Sequence, residues 1–246
     1  MSTGDYVSVT MRIVQDLGMG IVTGRFKDVP FPTELALSET YGAARTVTRE
    51  AVKMLTSKGL IRSRPKIGIR IEPEERWNLL DPDVLRWLLE REFSLGTLID
   101  FTEFRLGVEP NAARLAAIHA SPADKAAIAG ALEHMAEAER LAEDGLAADI
   151  AFHVAVLAAT HNPFHLQMRD FIATALTYSI RRTSSLKDHH HACAADHDVV
   201  ARAIFEGRPA EAFAAMHRLI DNVLVLMHQE GFGTANDSSH TNSSSA

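Results

Sequence analysis

Asp149 and His153 stand out in the stretch DIAFHVAV, one carboxylate and one imidazole four residues apart in an otherwise apolar run. On a helix that spacing puts both side chains on one face. Imidazole with carboxylate suits Zn²⁺, Ni²⁺ or Mn²⁺, but two ligands from one helix leave a site incomplete, and a further donor must come from elsewhere in the chain. The competing reading is a satisfied hydrogen-bonded pair in a bundle core. Arg105 and Glu109 share the same spacing. As a plain intrahelical ion pair they would contribute a few tenths of a kcal/mol. As part of a pocket wall, the planar guanidinium of Arg105 would hold an organic carboxylate through two parallel bonds. The run His189-His190-His191 has metal-ligand chemistry, yet three adjacent residues on a helix point in three directions, and in a loop they are solvated. No nucleophile with a neighbouring base is apparent, so an α-helical metal-dependent hydrolase built on Asp149, His153 and His197 is the weaker functional reading.

The elements that would carry these residues are mostly helical. Residues 7–23 show helical spacing of Val7, Met11, Ile13, Val14, Leu17 and Ile21. Pro32-Thr33-Glu34 opens a short helix that ends at Gly42, and a third helix runs from Arg45 to Gly59. Ile61 and Ile69/Ile71 then suggest two short strands around the turn Pro65-Lys66-Ile67-Gly68. The acidic, proline-bearing stretch EPEERWNLLDPDV marks a boundary. Beyond it, helices are expected over 82–91, 95–119, 122–143, 145–160, 163–185, 192–206 and 208–229. Asp81-Pro82, Ser121-Pro122 and Asn162-Pro163 each read as an N-cap with Pro in the first turn. The expected organisation is a helix-and-hairpin module over 7–72, a linker over 73–81, an all-α domain over 82–230, and a polar, disordered tail over 231–246.

The chain has 246 residues and a net charge of −7, but the charge is unevenly spread. Residues 1–71 hold 11 Lys/Arg against 6 Asp/Glu, while the remainder is acidic. A basic module on an acidic body is a layout of nucleic-acid binders. The single cysteine, Cys193, excludes an intramolecular disulfide framework. No leader or membrane-spanning run is evident, and a cytoplasmic protein is expected. In ARTVTREAVKMLTSKGLIRSRPKIGIR, Arg45, Arg49 and Lys53 fall on one helix face, able to enter a major groove. A hairpin tipped by Gly68 lets backbone approach phosphate.

These residues resemble the winged helix-turn-helix of the GntR family. Pro32, Thr33, Glu34, Leu37, Gly42, Arg45, Arg49, Glu50 and Ala51 match its pattern, with Leu60 and Gly68 matching the helix end and the wing tip. The resemblance implies a candidate DNA-binding set of Thr33, Glu34, Arg45, Thr46, Thr48, Arg49, Lys53, Arg64, Lys66 and Gly68. Departures include Phe31 for Leu, Lys27-Asp28 for Pro-Gly, Thr48 for Val, and Ala44 for the capping Ser, the last costing about 1 kcal/mol if uncompensated. The stretches WNLLDPDVLRWLLE, FRLGVEPNAARLAA, DIAFHVAVLAATHNP and DHDVVARAIFEGRPAEAFAAM are similar to FadR-type members that answer to sugar acids. That likeness implies an all-α antiparallel FCD-type bundle that binds an effector and dimerises, and a regulator of repressor type rather than an enzyme. The partners it implies are double-stranded operator DNA, a small organic acid and a second copy of the chain, with no membrane. Arg105, Glu109 and Asn162 are the implied effector contacts. Asp149, His153 and His197 match metal ligands of the family, for Zn, Ni or Mn. The fourth ligand position of the family holds Leu219, and His217, two residues away, is about 200° round the helix axis. The site is therefore expected to be an incomplete three-ligand one, completed by water or effector, with a metal-free pocket as the alternative.

Overall fold

The computed structural model describes residues 3–64, 68–91, 95–184 and 193–237. The chain divides into two compact units, Met1–Phe93 and Ser94–Ala246. Among the described residues, no helix is long and apolar enough to cross a membrane.

The first unit runs α1 (Thr3–Val22), α2 (Glu34–Tyr41), α3 (Arg45–Ser57), β1 (Ile61–Arg64), β2 (Gly68–Ile71), a 3₁₀ turn (Glu74–Arg76) and α4 (Pro82–Arg91). The two strands pair antiparallel, Ile61 opposite Ile71 and Arg64 opposite Gly68. Helix α2 starts because the Thr33 hydroxyl accepts the Ala36 amide at 3.2 Å. It stops because Gly42 takes a left-handed φ of 57°, which turns the chain toward α3. Ile13, Val14 and Leu17 of α1, Leu37 of α2, and Val47, Ala51 and Leu55 of α3 form one core with Trp77, Val84 and Trp87.

Trp87 shows that α4 belongs to this unit. A Cβ at Gly18 would lie 2.3 Å from the Trp87 ring, so the tryptophan packs where α1 has no side chain. The Trp87 indole also donates to Gln15 Oε1 at 2.9 Å. Lys58, a cation near the end of α3, is only 8% exposed. Its ammonium reaches Asp81 and Asp83, both at 2.8 Å. This ties the end of α3 to the start of α4, so the helix expected in the effector domain is built into the first unit. The apolar repeat of α4 revealed a buried face but could not say against which neighbour it packs.

The second unit holds α5 (Leu95–His119), α6 (Pro122–Leu141), α7 (Leu146–Ala158), α8 (Pro163–Gln167), α9 (Arg169–Ser184), α10 (Ala194–Phe205) and α11 (Pro209–Asp237). Helix α5 packs along α11 and against α7 and α10, and α7 packs on α6 and α9. The Ser121 capping box starts α6, with Ser121 and Asp124 each satisfying the other's backbone amide. The single helix expected over 163–185 is two, broken at Met168. Helix α11 continues to Asp237, into the stretch expected to be a disordered tail; residues 238–246 lie outside those described.

Candidate functional site

Two groups of side chains carry the chemistry, one in each unit. In the first, α3 buries Val47, Ala51, Val52 and Leu55 and leaves Arg45, Thr46, Arg49 and Lys53 exposed. That is the division a helix needs to sit on a core and face a groove. Thr48 departs from the expected set. It is fully buried, and its hydroxyl lies 3.0 Å from that of Ser38 and donates to the Arg45 carbonyl at 3.1 Å. Thr48 therefore locks α2 to α3 rather than touching DNA. Ala44 provides no side-chain cap to α3, and the Ser38–Thr48 bond holds that end from the side. Thr33 is exposed and Glu34 half-buried, both at the start of α2. Lys53 pairs with Glu50 at 2.6 Å on the surface.

On the wing, Arg64 and Gly68 stand opposite one another. Arg62 and Arg70, not among the expected contacts, are also opposite one another. Arg62, Arg64, Arg70 and Gly68 line one recess. Strand alternation puts Arg62 and Arg64 on the same face, a signal present in the sequence. Like charges directly opposite each other destabilise a strand pair, so this face suits an external anion such as backbone phosphate. Glu72 offsets part of it, 3.0 Å from Arg62. Lys66 lies outside the described residues.

In the second unit, α5 supplies Arg105 and Glu109, α7 supplies Asp149 and His153, and α10 supplies His197. Arg105, Glu109, His153 and His197 are each at most 3% exposed. Arg105 Nε donates to Glu109 Oε1 at 2.5 Å, and Nη2 lies 3.4 Å from Oε2. The His153 Nδ1 is 2.5 Å from Glu109 Oε2. Its Nε2 is 3.5 Å from Arg105 Nη2 and 3.6 Å from Asp149 Oδ1. His197 is held by a bond from Nδ1 to the Cys193 carbonyl at 3.0 Å, and its Nε2 sits 3.5 Å from Asp149 Oδ2. Phe152 presents its ring edge-on to both imidazoles, 4.9 Å from that of His197.

Electrostatics follow from this enclosure. Burial opposes ionisation of Glu109, but the guanidinium of Arg105 and the imidazole of His153 outweigh it and hold the carboxyl down at about 2. Burial, reinforced by His153, pushes His197 below the ordinary imidazole range, which favours the neutral ring that coordination requires. Asp149 Oδ1 and His197 Nε2 are buried without a hydrogen-bond partner. One donor atom each from Asp149, His153 and His197 falls within 4.8 Å of the others. Two nitrogens and a carboxylate oxygen converging on orphaned atoms fit a divalent transition metal.

The remaining expected residues are not drawn in. Leu219 is buried, while His217 is exposed beside Phe213; among the described residues, no α11 side chain joins the donor set. Asn162 caps α8, its side chain accepting from Phe164 N at 2.9 Å. His189, His190 and His191 lie outside the described residues. The Glu109–His153 link had no local sequence signal, because it joins two helices 44 residues apart in the chain, whereas the His197–Cys193 bond is a local one, four residues back at the start of α10.

Residues 10–71 match the model of the bacterial regulatory proteins of the gntR family, and residues 100–222 match the FCD domain. The galactonate operon transcriptional repressor of Escherichia coli is 37% identical over 175 residues, spanning 71% of this chain and 76% of that one. The HTH-type transcriptional regulator YieP of the same organism is 33% identical over 155 residues, 62% of this chain and 67% of that one. Among solved structures, Lar, which controls expression of the Listeria monocytogenes agr system, aligns with a TM-score of 0.56 over 89% of this chain and 96% of that one. At 15% identity the last likeness speaks to fold alone. The chain belongs to the GntR family of bacterial regulatory proteins, a winged helix-turn-helix followed by an FCD domain, and it is a transcriptional regulator rather than an enzyme.

Proposed function

We propose that the chain represses an operon for the breakdown of a sugar acid and releases its operator when that acid, or a close relative such as an aldonate, binds the FCD domain. The observation that carries this reading is the side-by-side placement of a buried guanidinium and a three-donor set, with Arg105 Nη2 3.5 Å from His153 Nε2. A carboxylate on Arg105 and a neighbouring hydroxyl at the donor set suit a polyhydroxy acid. A relative named for galactonate supports the same ligand class. A metal held by Asp149, His153 and His197 would supply Lewis acidity and an open coordination position for an effector oxygen. Arg105 neutralises the effector's charge, and Glu109 keeps Arg105 in place.

On DNA, Arg45 and Arg49 would read the major groove, with Thr46, Lys53, Arg64, Lys66 and Gly68 contacting the backbone and the neighbouring groove. A homodimer would place one winged module on each half-site of a pseudo-palindromic operator. The effector must prefer the DNA-free state to shift the balance. Because the site is enclosed, its entry requires side chains or helices around Arg105 to give way.

A thermal-shift screen of sugar acids, with metal added or chelated, tests this reading: an aldonate raises the melting temperature and weakens operator binding. Arg49→Ala abolishes operator binding and leaves effector binding intact, and unchanged operator affinity in that variant would sink the assignment of α3. A second reading keeps the regulator but leaves the pocket metal-free, favoured by the Arg105 Nη2 that faces His153 Nε2. Elemental analysis of purified protein, with and without Asp149→Ala, separates the two.

A further inference from the structure

We infer that Glu109 is a positioning residue that sets the tautomer and aim of His153, and is not itself an effector contact. The inference rests on the reading of Asp149, His153 and His197 as a ligand centre, and it concerns the helix behind that centre. An isolated arginine–carboxylate pair favours two parallel bonds of similar length. Here the pairing is lopsided, with Nε to Oε1 at 2.5 Å and Nη2 to Oε2 at 3.4 Å. Oε2 is instead 2.5 Å from His153 Nδ1. The carboxylate has been turned toward the imidazole, although Arg105 sits on its own helix.

Both Glu109 oxygens are turned toward nitrogens, Oε1 to Arg105 Nε and Oε2 to His153 Nδ1, so the carboxylate serves as acceptor and the ring as donor at Nδ1. That places a hydrogen on Nδ1, while Nε2 has the donor-only Arg105 Nη2 3.5 Å away and so is arranged as the acceptor. Nε2 is the atom that faces Asp149 at 3.6 Å and belongs to the convergent donor set. His197 is arranged in the same way, with Nδ1 bonded to the Cys193 carbonyl at 3.0 Å and Nε2 toward Asp149 at 3.5 Å. Both imidazoles are thus anchored through Nδ1 by an acceptor and offer Nε2 to one carboxylate. For His197 the acceptor is backbone and cannot be lost by substitution. For His153 it is a side chain from another helix, and its identity matters. Glu109 is also unsuited to hold an anionic effector, since it adds negative charge and both its oxygens are engaged.

The test uses the full chain, chelator-treated, with ¹⁵N-labelled histidine. The His153 ring nitrogens are assigned by the signal lost in His153→Gln, and long-range ¹H–¹⁵N correlations read the tautomer. The expected result is a proton on Nδ1 of His153 in the wild-type protein; a proton on Nε2 instead overturns the proposal without need of a Glu109 variant. In Glu109→Gln, whose amide can present either oxygen or NH₂ to the ring, the single tautomer gives way to a mixture. Co²⁺ affinity, measured by chelator competition, falls about 10–100-fold in that variant. Unchanged tautomer and unchanged Co²⁺ affinity in a folded Glu109→Gln protein overturn it. If the wild type takes up no Co²⁺, the metal reading under the proposed function fails, while the tautomer of His153 still decides the role of Glu109.

Discussion

Arg62 and Arg70 face each other across the wing with Arg64 beside them, and the physics of that arrangement makes a residue-scale prediction. If this face meets phosphate, Arg70→Ala weakens binding to operator and non-operator DNA alike. The slope of log affinity against log salt then shallows by about 1, as expected for one lost phosphate contact. A change confined to one base position would contradict it. Thr48 behaves differently. Thr48→Val removes a buried hydroxyl bonded to Ser38 and the Arg45 carbonyl, so it lowers stability by about 1 kcal/mol in denaturant titration and leaves the salt slope unchanged. Its neighbour Ala44 offers the opposite experiment. Ala44→Ser gives α3 the side-chain cap it lacks and raises stability by about 1 kcal/mol.

At the scale of elements, the buried Lys58 and its two aspartates join α3 to α4. The two tryptophans of the chain, Trp77 and Trp87, both lie in this core, so tryptophan fluorescence reports the unfolding of the first unit alone. Lys58→Met takes the ammonium from Asp81 and leaves Asp83 with Arg86 alone, 2.9 Å away, and it lowers the fluorescence-detected midpoint of urea unfolding. Burial works against the charged forms of both Lys58 and Asp83, but their mutual bonds win, so Lys58 is raised and Asp83 lowered. The stability from Asp83 is present above its unfolded value, about 3.9, and is lost as pH falls through its lower folded value. The stability from Lys58 is present below its unfolded value of about 10.4 and is lost as pH rises through its higher folded value. Fluorescence-detected stability therefore stays level between those limits and drops at both ends; the Met variant loses the alkaline drop and shows a smaller acid one, since Arg86 and Gln15 still hold Asp83.

For the whole molecule, two units with different chemistry imply two separable transitions. The buried Glu109 carboxyl, held at about 2, stabilises the helical unit above its unfolded value of about 4.3, and this support is lost as pH falls from there toward 2. Far-UV circular dichroism, dominated by the larger helical unit, follows that loss, and Glu109→Gln flattens it. Coincident acid transitions by circular dichroism and tryptophan fluorescence in both proteins would contradict the assignment to Glu109.

Much of this molecule was legible in its linear order. Hydrophobic spacing, Pro after a capping residue, and glycine at helix ends are local rules, and they placed most helices and the hairpin. The i, i+4 pairs Arg105/Glu109 and Asp149/His153 were visible for the same reason, since both members ride on one helix. Contacts between distant segments were not. No local rule says that Thr48 turns inward to Ser38, that Lys58 is buried under α4, or that α4 packs on Gly18 through Trp87. Nor does one say that Glu109 gives an oxygen to His153 on another helix, or that His197 completes the donor set. The sequence by itself determined which chemistry was available and which helices carried it. Only the tertiary structure decided which polar groups were buried together, because the cost of burying an unpaired charge or donor is settled by neighbours from other helices.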